Sequence, residues 1–384
     1  MLRTFGEAYG RRYVLTPEHR RVLTDLLACR TELLGGHLDV CDHCGHAVPS
    51  FNSCRNRHCP KCQSLRQAKW VAERMQRVLP VPYFHVVFTV PHELHRLARL
   101  NRARFYALLF ATASRTLLDL SADPQRLGAV PGVTAVLHTW TRDLRFHPHV
   151  HCIVTGGGLG PDGESWVRPR YRGRFLFPVR VLSELFKKKL LAALARAVGD
   201  GELVLGDGND RVEGEAFDEL KDTLYRKRWV VYAKRPFAGP AQVFRYLGLY
   251  THRVGISNHR LLSMTDDGVT FGTKNGGTTT VSGVEFVRRF LQHVLPRAFV
   301  KLRHYGLHAP ANVNTKLERA RVALGGDCSP SSPPPTSSSD LIELLIGRDP
   351  SRCPACKVGT LVRFVVNTST GELALAPLPE LDTS

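Results

Sequence analysis

The 384-residue chain has no apolar run approaching the roughly 18 residues that a membrane-spanning helix needs. Its opening, MLRTFGEAYGRRYVLT, lacks the apolar core of a secretory signal. A cytoplasmic, nucleoid-associated protein with no membrane partner is therefore expected. HExxH is absent, which argues against a zinc hydrolase built on that motif. Acidic residues are scarce, 34 Asp and Glu against 53 Lys and Arg, and nothing in their arrangement marks a carboxylate triad. No internal repeat is present.

What remains is a strong positive balance, +19 with histidine neutral. Such an excess speaks to partners more than to fold, and DNA is the expected polyanion. Apolar residues make up 43% of the chain, ample for a core, and the length suggests about two or three domains.

Ten cysteines in a reducing compartment point to metal ligands or free thiols rather than disulfides. In CDHCGHAVPSFNSCRNRHCPKC, Cys41 and Cys44 form one CxxC, and Cys59 and Cys62 form another. Two facing knuckles of this kind make a closed tetrathiolate zinc-ribbon site, which is structural rather than catalytic. Cys54 and His58 lie between them, so a swapped ligand or a second ion stays open. Arg55, Arg57 and Lys61 surround the cysteines and suit phosphate contacts on DNA. The tail carries a single further CxxC, Cys353 and Cys356, with Cys328 too isolated to complete it. It reads as a degenerate ribbon, or as one sharing zinc across subunits.

Thr16 and Pro17 start a helix over 16–34 that Gly35 and Gly36 end. After the cysteines, the order is a strand at 83–90, a helix at 93–119, strands at 133–140 and 149–156, a helix at 181–198, a strand at 229–234 and a helix at 240–253. That is the split βαβ, ferredoxin-like order with one added helix, so the fold class is α+β. Asp267 and Gly268 turn a hairpin over 261–273. The domains read as 1–75 with the zinc site, 80–310 as the larger domain, a Pro/Ser linker over 325–340, and a small tail over 341–384.

In FHPHVHCIVTGGG, His149 and His151 share one strand face, with Val150 turned to the core. Two imidazoles so placed can bind a divalent cation. His138, on the preceding strand of a hairpin, is the third-ligand candidate, and His147 is the alternative. In YLGLY, Tyr246 and Tyr250 are four residues apart and share one helical face beside Arg245 and Arg253. A metal-polarised phosphodiester and a tyrosine nucleophile together suggest DNA strand transfer through a phosphotyrosine.

SCRNRHCPKCQ, HTWTRDLRFHPHVHCIVTGGG, YLGLYTHRVGISNHRLL and RRFLQHVLPRAFVKLRHYG together resemble the insertion sequence 91 family of transposases. The resemblance spans about residues 41–307. It implies an endonuclease core of the HUH type (His, hydrophobe, His) acting on single-stranded DNA, behind a zinc-binding domain. It places the HUH histidines on His149 and His151 and the two family tyrosines on Tyr246 and Tyr250. It also implies Mg2+ or Mn2+ at the histidines, zinc at the cysteines, and rolling-circle-like mobilisation of a DNA element. FGTKNGGTTT, over 271–280, departs from the more basic and aromatic strand expected there. The alternatives are a plasmid replication initiator or relaxase with the same chemistry, and a zinc-dependent DNA-binding protein without catalysis.

Overall fold

The computed structural model describes residues 1–170, 175–206, 210–234, 248, 255–325, 337–366 and 373–375. It is an α+β chain of antiparallel sheets. The strands are β1 (Gly36–Cys41), β2 (Ala47–Phe51), β3 (Tyr83–Thr89), β4 (Gly132–Trp140), β5 (Phe146–Thr155), β6 (Gly158–Leu159), β7 (Trp166–Val167), β8 (Val231–Lys234), β9 (Leu261–Met264), β10 (Gly268–Gly272), β11 (Thr278–Ser282), β12 (Leu302–Gly306), β13 (Leu361–Val366) and β14 (Leu373–Leu375). The helices are α1 (Leu2–Arg12), α2 (Pro17–Ala28), α3 (Ser64–Met75), α4 (His95–Leu100), α5 (Arg102–Ala122), α6 (Val179–Gly199), α7 (Asp210–Arg226), α8 (Gly283–Leu291), α9 (Lys316–Ala323) and α10 (Ser338–Ile346). No described helix is long and apolar enough to cross a membrane.

The chain divides into two compact units. One comprises residues 1–73, 248–294 and 332–384; the other comprises 74–247 and 295–331. The second unit is built on a sheet of order β12-β4-β5-β3-β8, antiparallel between every pair of neighbours. Of this sheet's strands and the helices α5 and α6, the chain runs through β3, α5, β4, β5, α6, β8 and last β12, with α4, β6, β7 and α7 of the same unit interspersed. β4 and β5 form a hairpin closed where the Thr141 N–H donates to the Arg145 carbonyl at 2.9 Å.

Strand alternation sorts the residues of this sheet. Phe146, Val150, Cys152 and Val154 of β5 join a core with Val86 and Phe88 of β3 and Ala135 and Leu137 of β4. Phe110 and Leu117 of α5, and Phe186, Leu190 and Leu194 of α6, complete that core. Each such Phe or Leu contributes roughly 1.5–3 kcal/mol by leaving water. The intervening His147, His149 and His151 are half-buried and belong to the other sheet face. The edge strand β12, paired with β4 from Leu302 opposite Val136 to Gly306 opposite Gly132, was not expected. LRHYG is short and carries charge, so its pattern does not announce a strand.

In the first unit, Thr16 Oγ1 accepts from the His19 N–H at 3.2 Å and starts α2 behind Pro17. The helix expected over 16–34 stops sooner, at Ala28, and only a 3-10 turn at Glu32–Leu34 follows. The backbone leaves helical geometry at Cys29. The expected hairpin forms as β9 and β10, and β11 adds a third strand. α8 begins at Gly283, where a Cβ would lie 2.3 Å from the Phe5 ring, so α1 and α8 touch closely. The segment expected as a small separate tail is built into this unit. β13 pairs with β1, giving a sheet of order β14-β13-β1-β2.

Candidate metal centres

Three groups of metal-ligating side chains converge among the described residues: His138 with His149 and His151, Cys29 with Cys54, Cys59 and Cys62, and Cys41 with Cys44, Cys353 and Cys356. Within each group the candidate ligand atoms lie within 4.8 Å of one another.

The histidine group follows from the β4–β5 register. His138 faces His149 directly across the hairpin. The ring centroids of His138 and His151 are 4.2 Å apart, and those of His149 and His151 are 4.9 Å apart. His149 Nδ1 lies 2.7 Å from the His147 carbonyl, so that nitrogen carries the proton as donor and Nε2 keeps its lone pair. His151 Nδ1 lies 2.7 Å from His85 Nε2 on β3, while His151 Nε2 is buried and makes no hydrogen bond. Both rings can therefore present Nε2 as ligand, with Nδ1 fixed from behind. Burial pulls the pKa of His149 down to about 4, and carries His138 and His151 well below the usual histidine range. The imidazoles are thus neutral near pH 7, the form that coordinates a cation. His147 does not join the group; its ring lies against His95 and His149. His85 was missed in the sequence, because nothing in YFHVVFTV distinguishes a ligand-supporting histidine from a core one.

The expected tetrathiolate of Cys41, Cys44, Cys59 and Cys62 is not formed. Those four residues are split between two clusters. Cys59 and Cys62 meet Cys29 and Cys54, with Sγ–Sγ separations of 3.6 Å for Cys29–Cys59 and 3.7 Å for Cys54–Cys62. Cys29 comes from the turn after α2 and Cys54 from the loop before α3, at distances along the chain that no CxxC spacing announces. His58 does not join this group; its Nδ1 lies 2.9 Å from Asn56 Oδ1. Gln63 braces this loop by donating to the Asn56 carbonyl at 2.8 Å. Arg55 and Lys61 are exposed around the cluster and Arg57 is half-buried, where burial lowers its pKa.

Cys41 and Cys44 instead meet the tail pair, with Cys41–Cys356 at 3.7 Å and Cys44–Cys353 at 3.8 Å. The tail is therefore not the degenerate half-ribbon that its lone CxxC suggested. A zinc–sulfur bond of about 2.3 Å implies tetrahedral edges of about 3.8 Å, so both cysteine clusters match the donor set of a zinc ion.

Tyr246, Tyr250, Arg245 and Arg253 lie outside the described residues. Gly248, between the tyrosines, is described: it is helical and buried, and a Cβ there would sit 2.4 Å from Val71 Cγ2 of α3.

Residues 1–90 match the family described as "Transposase zinc-binding domain", and residues 132–316 match the family described as "Putative transposase". The chain is 44% identical to the "Putative transposase y4qJ" of Sinorhizobium fredii over 95% of this chain and 94% of that protein. It belongs to the insertion sequence 91 family of transposases. It is also 27% identical to the transposase for insertion sequence element IS801 of Pseudomonas savastanoi pv. phaseolicola, over 87% of this chain and 80% of that one. No solved structure matches this transposase.

Proposed function

We propose that this transposase cuts and rejoins single-stranded DNA through a tyrosine, beside a divalent cation held by His138, His149 and His151. The observation that carries the reading is the convergence of three neutral imidazoles on the sheet face opposite the helices. The strand order β4-β5-β3-β8, with α5 and α6 on one face, supports an HUH core of split βαβ type. When bound, Mg2+ or Mn2+ would polarise a phosphodiester oxygen as a Lewis acid. Nitrogen donors are softer than oxygen, so Mn2+ is the better probe of the two.

The chain's own groups supply the rest. A phenolic oxygen, of Tyr246 or Tyr250, attacks phosphorus and loses its proton. The bond from phosphorus to the 3′ oxygen breaks, and that oxygen departs as a hydroxyl. The 5′ phosphate remains on tyrosine. Attack by a 3′ hydroxyl on this phosphotyrosine restores a phosphodiester without using water, which suits rolling-circle-like mobilisation of an element. Cys29, Cys54, Cys59 and Cys62 hold a structural zinc in this reading. Arg55, Arg57 and Lys61 around it, and Arg245 and Arg253 beside the tyrosines, are offered to DNA phosphates, in keeping with the +19 charge.

The test is a labelled single-stranded end of the element, incubated with the full chain and Mn2+, on a denaturing gel. A covalent protein–DNA adduct is expected with the parent and none with the double variant Tyr246→Phe, Tyr250→Phe. An adduct of undiminished yield from that variant would sink the nucleophile assignment.

A further inference from the structure

We propose that a second zinc ion, held by Cys41, Cys44, Cys353 and Cys356, clasps the two ends of the chain together. The two CxxC pairs are more than 300 residues apart in sequence, yet their four sulfurs form one cluster. Their separations of 3.7 and 3.8 Å match the edges of a zinc tetrathiolate and are far from the roughly 2.05 Å of a disulfide.

The backbone repeats one design on both sides. Gly45 follows the first pair in the left-handed region at φ 68°, and Lys357 follows the second at φ 60°. The Gly45 N–H donates to the Cys41 carbonyl at 3.1 Å, and the Lys357 N–H donates to the Cys353 carbonyl at 3.0 Å. Backbone donors also face the sulfurs, Cys44 N to Cys41 Sγ at 3.4 Å and Gly359 N to Cys356 Sγ at 3.3 Å. Backbone donors of this kind are what a zinc-bound sulfur accepts from. A left-handed φ is costly for lysine, so its appearance at the matching place in the second knuckle indicates a geometry imposed by the site.

The two knuckles are held in register from outside. Cys41 closes β1 opposite Leu361 of β13. The Asp42 N–H donates to the Thr360 carbonyl at 3.0 Å, and the Thr360 N–H donates to Asp42 Oδ1 at 2.7 Å. Arg363 makes a bidentate pair with Asp39, at 2.7 and 2.9 Å. Gly359 is required at the closest approach, where a Cβ would lie 2.5 Å from Cys41 Sγ. Four soft thiolates select zinc over the hard cation proposed for the histidines. The consequence is specific: residues 1–90, the zinc-binding match, contain only half of this second site, and the C-terminal segment completes it.

The experiment is zinc counting on the full chain by native mass spectrometry under reducing conditions. Two zinc ions are expected in the parent and one in the double variant Cys353→Ser, Cys356→Ser. Cys356→His, which keeps a zinc-competent donor, should retain both. If the serine variant fails to fold, a protease site placed in the Pro/Ser linker at 329–337 gives the same answer without touching a ligand. The two cleaved pieces should then remain one complex carrying two zinc ions. A serine variant that keeps the parent's full zinc count, or a separated C-terminal piece that leaves that full count on the larger one, would each overturn the clasp. Cys29→Ser, Cys59→Ser tests the other cluster independently, and the histidine site is unaffected by either result.

Discussion

Replacing His85 by leucine should weaken Mn2+ binding by about 10- to 100-fold, the cost usual for losing a group that orients a metal-bound histidine. A neutral His151 that binds through Nε2 must carry its proton on Nδ1. That proton has an acceptor in His85 Nε2, 2.7 Å away. Burial holds the pKa of His85 down at about 4, so near pH 7 it is neutral and able to accept. Leucine at this position removes the acceptor and leaves a buried N–H unpaired, which costs about 1–3 kcal/mol, in line with the same fold-change. With no acceptor holding the proton on Nδ1, His151 no longer favours the tautomer that frees Nε2 for the cation. Glutamine supplies a carbonyl oxygen and should recover most of the affinity. The assay is calorimetric or paramagnetic Mn2+ titration of the full chain, with zinc content checked in parallel. If His85→Leu binds Mn2+ as tightly as the parent, or if His85→Gln binds no better than His85→Leu, the positioning role is refuted.

Acid should destabilise the second unit through His304 and His308. Burial is the first cause that lowers their pKa values, to about 3 and about 4, with the cations Arg74 and Arg77 adding to it. Above pH 6.5 both histidines are neutral whether folded or not, and no penalty exists. As pH falls below 6.5 the unfolded chain takes up protons that the folded chain refuses, and each group removes up to about 1.4 kcal/mol per pH unit until its folded pKa is reached. Urea midpoints between pH 6.5 and 4.5 should fall, and His308→Gln should flatten the slope; a slope unchanged by that variant would count against the account. Gly248→Val should cost roughly 1–3 kcal/mol by overpacking against Val71, and should abolish adduct formation even though both tyrosines are retained. Full activity and an unchanged melting temperature in Gly248→Val would show that the close approach is not needed.

Much of the histidine site was legible. Period-two alternation put His149 and His151 on one face, and hairpin reasoning brought His138 beside them; both are local geometry, set by residues within about fifteen positions of one another. The strand sequence of the second unit was readable for the same reason, since β3, β4, β5 and β8 each carry apolar runs bounded by turns. β12 was hidden because an edge strand of half-buried, charged residues has no such run. The cysteines show the opposite limit. Spacing singled out Cys41, Cys44, Cys59 and Cys62, each of which does lie in a four-sulfur cluster, but it suggested the wrong partners, since a CxxC knuckle is complete only with whatever second pair the fold delivers.

The sequence by itself determined which residue types make up the candidate metal clusters, the phase of the histidine strand and the family, because these depend on side-chain chemistry and on contacts close along the chain. Only the tertiary structure decided which sulfurs share a cluster. Antiparallel pairing of β1 with β13 brings Cys353 and Cys356 to Cys41 and Cys44, and the early end of α2 delivers Cys29 to Cys59. Those choices are fixed by strand register and packing between segments 30 residues apart in one cluster and 309 in the other, where neither periodicity nor spacing carries information.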